Sequence, residues 1–455
     1  MGVAALVSAC AVVLGACVGP GSSKWLFGSW DAVGTVEVPY LPIAQAVGPA
    51  DGGGILIGGL ASSTYQAKAV RVSPAGDVVY DVPLGLGAVN RTVSDARGDL
   101  FIGSTTDTRN DVRPALWRFS PSGAPDDSFG AAGVVSFDPP PPQLPPNPYI
   151  AELTDFLRAS AIAAAVDDSG RTYVLVSSLR GRTWIHPILE LFVGRLLPNG
   201  SPDPSWGVDG FVDIGSHILE YGDPTPAGTL TFVDDTHLVL AVPQWAHASV
   251  GALDVTAPGP VTLTDVSMSA VSGCPGYTKN AVTFAGATES GGRAIISVTG
   301  NGGGCPLPSV LSVGPDGRLD PTFGTNGRLT WPTEYDNYVT GGAMSAIGTV
   351  FQVGDHLAVP GNRWMSQTTV ESGLVEFHTD GTLLHPELRD GFRRLDLGPA
   401  NPRHVLAANG TGFTNTVGSA SSDAEYLAGI TFDDPYGLAN GRVVVTKLTP
   451  SALGG

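Results

Sequence analysis

Residues 117–137, WRFSPSGAPDDSFGAAGVVSF, read as a strand, a tight turn, an aromatic-Gly pair and the start of a second strand. Relatives of this stretch recur at 194–214 (GRLLPNGSPDPSWGVDGFVDI), at 311–331 (LSVGPDGRLDPTFGTNGRLTW) and, more loosely, at 375–397 (VEFHTDGTLLHPELRDGFRRLDL). A front half alone stands at 70–79 (VRVSPAGDVV), a weaker copy at 253–266 (LDVTAPGPVTLTDV), and the chain ends inside the motif with KLTPSALGG. The turn glycine marks the register at Gly76, Gly123, Gly200, Gly259, Gly317 and Gly381, with Ala452 in the equivalent place. The intervals are 47, 77, 59, 58, 64 and 71 residues. Pro presets φ at the second turn position, and the Gly that follows accepts positive φ at little cost.

A second turn, followed by an apolar strand, precedes most of these marks: PADGGGILIGG (49–59), DARGDLFIG (95–103), DDSGRTYVLV (167–176), VDDTHLVLAV (233–242), ESGGRAIISV (289–298) and VGDHLAVPG (353–361). A seventh, AANGTGFTNTVG (407–418), stands further from its mark. Two hairpins per unit make a four-stranded sheet, and such sheets repeated radially make an all-β propeller. The expectation is seven four-stranded blades. The end of the chain lacks the strand after its last turn, whereas residues 25–38 (WLFGSWDAVGTVEV) carry that strand without a preceding turn. The N-terminal strand is therefore expected to complete the last blade, which removes open sheet edges. Insertions are expected at 137–159, where a Pro-rich arm (137–150) leads into a short helical turn, and at 214–228, 267–280, 332–346 and 419–440.

The pattern of strand, Pro-Asp-Gly, Asp-x-Ser/Thr-Phe-Gly and x-x-Gly resembles the delta-60 repeat of bacterial secreted proteins. Residues 117–137 and 311–331 match it best and 194–214 well. The resemblance implies an exported propeller.

The N-terminus gives an address of its own. Residues 2–16, GVAALVSACAVVLGA, are apolar and uncharged, but shorter than the about 20 residues of a comfortable membrane span. They fit the core of a secretion signal. Leu14-Gly15-Ala16-Cys17 resembles a bacterial lipobox, which implies a signal peptide at 1–16, lipid attachment at Cys17, a tether over 17–24 and a single propeller domain over 25–455. It implies a lipid anchor in the membrane of the cell envelope, the outer membrane if the source is Gram-negative. Outside this leader region the cysteines are Cys274 and Cys305. An even pair in an oxidising compartment reads as a disulfide, worth about 3–4 kcal/mol for a loop of this size.

The net charge is −18, from 24 basic and 42 acidic residues. No basic stripe is present, so nucleic acid is not an expected partner. No hydrolase elbow, zinc-protease, phosphate-loop or Cys-x-x-Cys motif occurs. No catalytic residue, metal ligand set or cofactor is expected. Carboxylate pairs such as Asp126-Asp127, Asp167-Asp168 and Asp234-Asp235 sit where turns favour Asp. Tyr65, Trp184, Trp245 and Trp364 occupy comparable positions after the second-register strands, as does Tyr426. Equivalent propeller loops share a face, so these rings could line a binding rim. Trp184-Ile-His186 and Trp245-Ala-His247 repeat one pattern, with two histidines where a metal needs at least three ligands. The expected function is that of a monomeric binding or scaffold module for an envelope protein or glycan. The alternative is a glycan hydrolase or lyase working in the central funnel.

Overall fold

The computed structural model describes residues 30–38, 43–61, 66–106, 111–140, 156–181, 188–218, 228–244, 247–267, 280–302, 305–331, 343–353, 355–386, 388, 391–394, 416–421, 424–431 and 442–450. Every regular element among them is a strand. Strand β1 (Trp30–Val38) is the outer strand of the last sheet. The first sheet runs β2 (Ile43–Pro49), β3 (Ile55–Ala61), β4 (Gln66–Val72) and the front half of β5 (Val78–Asp95). Residues 78–86 of β5 pair with β4, and residues 87–95 become the inner strand of the second sheet. That sheet continues through β6 (Gly98–Thr106), β7 (Val112–Phe119) and β8 (Val134–Ser136).

The third sheet is β9 (Phe156–Val166), β10 (Thr172–Gly181), β11 (Ile188–Leu196) and β12 (Phe211–Ile218). The fourth is β13 (Thr229–Phe232), β14 (His237–Gln244), β15 (His247–Asp254) and β16 (Thr264–Ser267). The fifth is β17 (Asn280–Glu289), β18 (Ala294–Gly302), β19 (Cys305–Val313) and β20 (Arg328–Thr330). In the sixth, β21 (Ala343–Ile347) and β22 (Phe351–Val353) share the inner place beside β23 (His356–Trp364), β24 (Val370–His378) and β25 (Phe392–Arg394). The last is β26 (Thr416–Ser421), β27 (Ala424–Thr431), β28 (Arg442–Pro450) and β1, which pairs antiparallel with β28 from Trp30↔Pro450 to Val38↔Val443. The N-terminal strand closes the last sheet.

The inner strands touch in sequence, β2 to β5, β9, β13, β17, β22 and β26, and β26 returns to β2. This ring of antiparallel sheets around an axis is a β-propeller. Its second strands are sandwiched between neighbouring sheets. They are therefore apolar without alternation, as in Ile55-Leu56-Ile57 and Leu100-Phe101-Ile102, all 0% exposed. Each apolar cluster lies between consecutive sheets: Leu100, Phe129, Val174 and Phe192 join the second to the third, and Val310, Phe323, Val359 and Phe377 the fifth to the sixth.

The aromatic-Gly pair is the latch between sheets. Phe129, Trp206 and Phe323 are at most 1% exposed. Gly130 N–H donates to the Asn199 carbonyl in the next sheet's turn at 2.8 Å, and Gly324 N–H to the Asp380 carbonyl at 2.7 Å. The turn glycine sits against the preceding aromatic. A Cβ on Gly200 would lie 3.1 Å from the Phe129 ring, and one on Gly381 3.2 Å from the Phe323 ring.

Several expected boundaries move. The seventh inner hairpin turns between Ser421 and Ala424, not within 407–418, because the pairing is β26 with β27. Tyr426 therefore lies on β27 rather than in a loop, and the 419–440 insertion reduces to 432–441. Of the stretch expected to end in a helical turn before residue 159, residues 141–155 lie outside the described residues and residues 156–159 are strand. Phe156–Ala159 begin β9 and pair with β10, since the small, apolar run ASAIAAAV fits a wall between two sheets.

Candidate functional site

Antiparallel order sends the two tight hairpins of each sheet to one face. The links between second and third strands, and those from an outer strand to the next inner strand, emerge on the other face. The long outer-to-inner links, at 137–155, 219–228, 268–279, 331–342 and 395–415, thus share that second face, around the mouth of the axial channel.

The channel wall is built on recurring bulges. Six inner strands carry one extra residue: Gln45, Asn90, Ile162, Ala285, Ser345 and Ala420. A bulge re-aims its side chain out of the pleat. At Gln45, Asn90 and Ile162 the side chain reaches toward the next inner strand. Gln45 Oε1 accepts from Val89 N–H at 3.2 Å. Asn90 Nδ2 donates to Ser160 Oγ at 2.7 Å and to the Ala161 carbonyl at 2.8 Å. Ile162 abuts Gly228, where an added Cβ would lie 3.1 Å from its Cδ1.

Arg91 follows the second bulge. Its Nη1 donates to the Asn90 carbonyl and its Nη2 to the Gly228 carbonyl, each at 3.4 Å. Gly228 precedes the inner strand of the fourth sheet, so a side chain from the second sheet reaches it by passing β9 on the axial side. The run of Ala and Ser in β9 makes room for this. Burial pushes the Arg91 guanidinium down to about 10, so it remains protonated at neutral pH. It is half-buried rather than sealed.

The acids follow another logic. Asp126 Oδ1 accepts from Ser128 N–H at 2.9 Å and Ser128 Oγ at 2.6 Å. The same Asp-x-Ser/Thr turn recurs at Asp203, Asp234, Asp254, Asp320 and Asp380. At Asp203, Asp234 and Asp320 burial works against ionisation, and the bonds from two residues on, together with Arg195, His237 and Arg293 respectively, outweigh it. At Asp254 and Asp380 those bonds dominate. Asp234 falls to about 2. These carboxylates lock turns, as the Asp-rich turn positions suggested.

A polar register escaped the sequence reading. Five residues before each turn mark stand Arg71, Arg118, Arg195, Asp254, Ser312, Glu376 and Lys447, none of them apolar although their strands are. Arg71 Nη1 grips both oxygens of Asp99 at 2.8 and 2.7 Å, with Tyr80 Oη on the same carboxylate at 2.8 Å. Arg118 pairs with Asp95 at 2.9 Å and lies 5.2 Å over the Phe129 ring. Arg195 pairs with Asp203 at 2.8 Å and lies 5.3 Å over Trp206. In the sixth sheet the charge reverses. Glu376, 0% exposed, meets His356 Nε2 at 3.3 Å and His385 Nε2 at 3.4 Å. The hydrogen bond to Glu376 raises His356, with burial opposing. The described residues include no group of three or more metal-ligating side chains arranged to hold an ion.

Among the expected site residues, Trp364 ends β23 and pairs with Val370 at the mouth face. Cys305 begins β19, paired with Gly302 on the same face. His247 opens β15 opposite Gln244, so residues 245–246 form the connection and the strand-face argument for Trp245 and His247 does not apply. Cys17, Tyr65, Trp184, His186, Trp245 and Cys274 lie outside the described residues.

No protein-family model matches the chain, and no curated protein matches it in sequence. Among solved structures it is similar to the polysaccharide lyase Uly1, at 8% identity over 90% of each chain with a TM-score of 0.45. It is similar to the Dos1 propeller, at 12% identity over 89% of this chain and 77% of that one, TM-score 0.40. It is also similar to the six-bladed fucose-recognising lectin of Aleuria aurantia, at 9% identity over 75% of this chain and 93% of that one, TM-score 0.39.

Proposed function

We propose that the chain is an exported propeller, held at the cell envelope by a lipid on Cys17, that binds an envelope glycan on its mouth face. The observation that carries this reading is topological. Every long outer-to-inner link, and every link that bears or borders Tyr65, Trp184, Trp245 and Trp364, emerges around one end of the axis. The other end carries the tight repeat turns. Loops on a rigid scaffold are where binding residues concentrate, and aromatic rings at such a rim match the faces of sugars.

The full chain, recovered from membranes in mild detergent, tests this against immobilised neutral and acidic oligosaccharides and against envelope proteins. Retention on a sugar, lost in Trp184→Ala and Trp364→Ala, is the expected result. Capture of a protein with no sugar retained refutes the glycan reading. A Cys17→Ser variant is expected in the aqueous fraction, and persistent membrane partition refutes the anchor.

A further inference from the structure

We propose that the propeller stands on its membrane with the tight-turn face toward the bilayer and the mouth pointing away from it. This rests on the lipid anchor at Cys17 and adds a direction to it. The glycan that meets the mouth then belongs to material beyond the anchoring membrane, not to that membrane's own headgroups.

The strand that closes the ring fixes where the anchored segment enters the fold. Strand β1 pairs antiparallel with β28, with Trp30 opposite Pro450 and Val38 opposite Val443. Strand β28 starts after the 432–441 link on the mouth face, so it ends, at Pro450, on the turn face. Trp30 therefore stands at the turn face and Val38 at the mouth, where residues 39–42 lead into β2.

Length decides between the two orientations. Cys17 lies 13 residues before Trp30, a reach of at most about 43–47 Å when fully extended. The second strands β6, β10 and β18 run 9, 10 and 9 residues, so the two faces lie about 30 Å apart. With the turn face inward, Trp30 is already beside the bilayer. With the mouth inward, Trp30 is about 30 Å from it, and most of the reach is used in returning along the sheet. Confining a chain to such extended states costs conformational entropy.

Charge then sets the gap rather than the orientation. Each of the first six sheets exposes a carboxylate in a turn-face hairpin: Asp77, Asp127, Asp168, Asp235, Asp316 and Asp355. This ring repels anionic headgroups, but salt confines the repulsion to about 8 Å at physiological ionic strength. That is well inside the reach of the segment, so the turn face is held off the bilayer without being turned from it.

The test uses the full lipidated chain in anionic phospholipid vesicles whose headgroups carry an acceptor dye. A donor dye is attached through Asp168→p-acetylphenylalanine in one protein and Gln66→p-acetylphenylalanine in another. Both positions are exposed, the first at the turn face and the second at the mouth. Stronger energy transfer from position 168 than from position 66 is expected. Equal or reversed transfer overturns the orientation and leaves the anchor and the glycan readings standing. Raising salt from 10 mM to 1 M shortens the Debye length from about 30 to about 3 Å, so transfer from position 168 should rise, and a transfer indifferent to salt overturns the charged gap. A Cys17→Ser chain that partitions onto the vesicles as well as the unaltered one overturns the anchor and the orientation together, and leaves glycan binding untouched.

Discussion

Gly200→Ala isolates the contact that sets one sheet against the next. Gly200 closes the Leu197–Ser201 turn with φ +85°. A Cβ there would lie 2.3 Å from Val135 Cγ2 and 3.1 Å from Phe129 Cε2, both in the preceding sheet. Two costs add. Holding an L-residue in the left-handed region costs about 1–2 kcal/mol, and forcing a methyl into a packed core costs about 1–3 kcal/mol. The sum is roughly 2–5 kcal/mol. Gly292 supplies the control, with φ +75° and no atom within 4 Å of its Cβ position. Gly292→Ala pays the backbone cost alone, about 1–2 kcal/mol.

Urea unfolding followed by tryptophan fluorescence reads the difference, since Trp117 and Trp206 are both buried. Gly200→Ala should be less stable than Gly292→Ala by about 1–3 kcal/mol. In a Gly200→Ala background, Val135→Ala should cost less than in the unaltered chain, with a coupling of about 0.5–3 kcal/mol. Equal losses in the two glycine variants, or zero coupling to Val135, would show that the turn does not bear on the neighbouring sheet.

Three further outcomes are expected. Asp99→Ala leaves Arg71 buried without its bidentate partner and should cost about 3–5 kcal/mol in urea unfolding, whereas Asp99→Leu with Arg71→Met should recover most of it. A loss of under about 1 kcal/mol in Asp99→Ala would refute that account. His356 has a folded value above the ordinary 6.5, so its pairing with Glu376 stabilises fully below that value and is lost as pH rises through the folded one. The stability gap between the unaltered chain and His356→Gln should therefore shrink as pH rises above the ordinary imidazole range, and a gap that widens contradicts the pairing. A non-reducing peptide map should find Cys274 linked to Cys305, and native-state alkylation of both thiols would disprove the link.

The repeat was legible because its residues answer to local rules. The turn glycines and the aromatic-Gly pairs each have one conformational job, done within a few residues of their sequence position. The closure by β1 was legible for a related reason: an unmatched strand at one end and an unmatched turn at the other. The seventh hairpin was misplaced because AANG at 407–410 is a better turn by composition than Ser421-Ser-Asp-Ala424, and sheet pairing overrode it. The buried Arg71, Arg118 and Glu376 stayed unread because their partners are tertiary. Arg71 finds Asp99 on the next sheet, and nothing near Arg71 in the chain announces that. Arg91 is the extreme case, since its contact at Gly228 is two sheets away.

The same physics explains why the repeat and the candidate site occupy opposite ends. The turn glycines are pinned by backbone conformation and by the ring of the preceding sheet, so that end tolerates little change. The links at the mouth end vary from none within β5 to the stretch at 395–415, and variation in loop length is thermodynamically mild. Bulges in the inner strands then carry polar groups from this rigid frame to the axis, where Gln45 and Asn90 tie neighbouring sheets together.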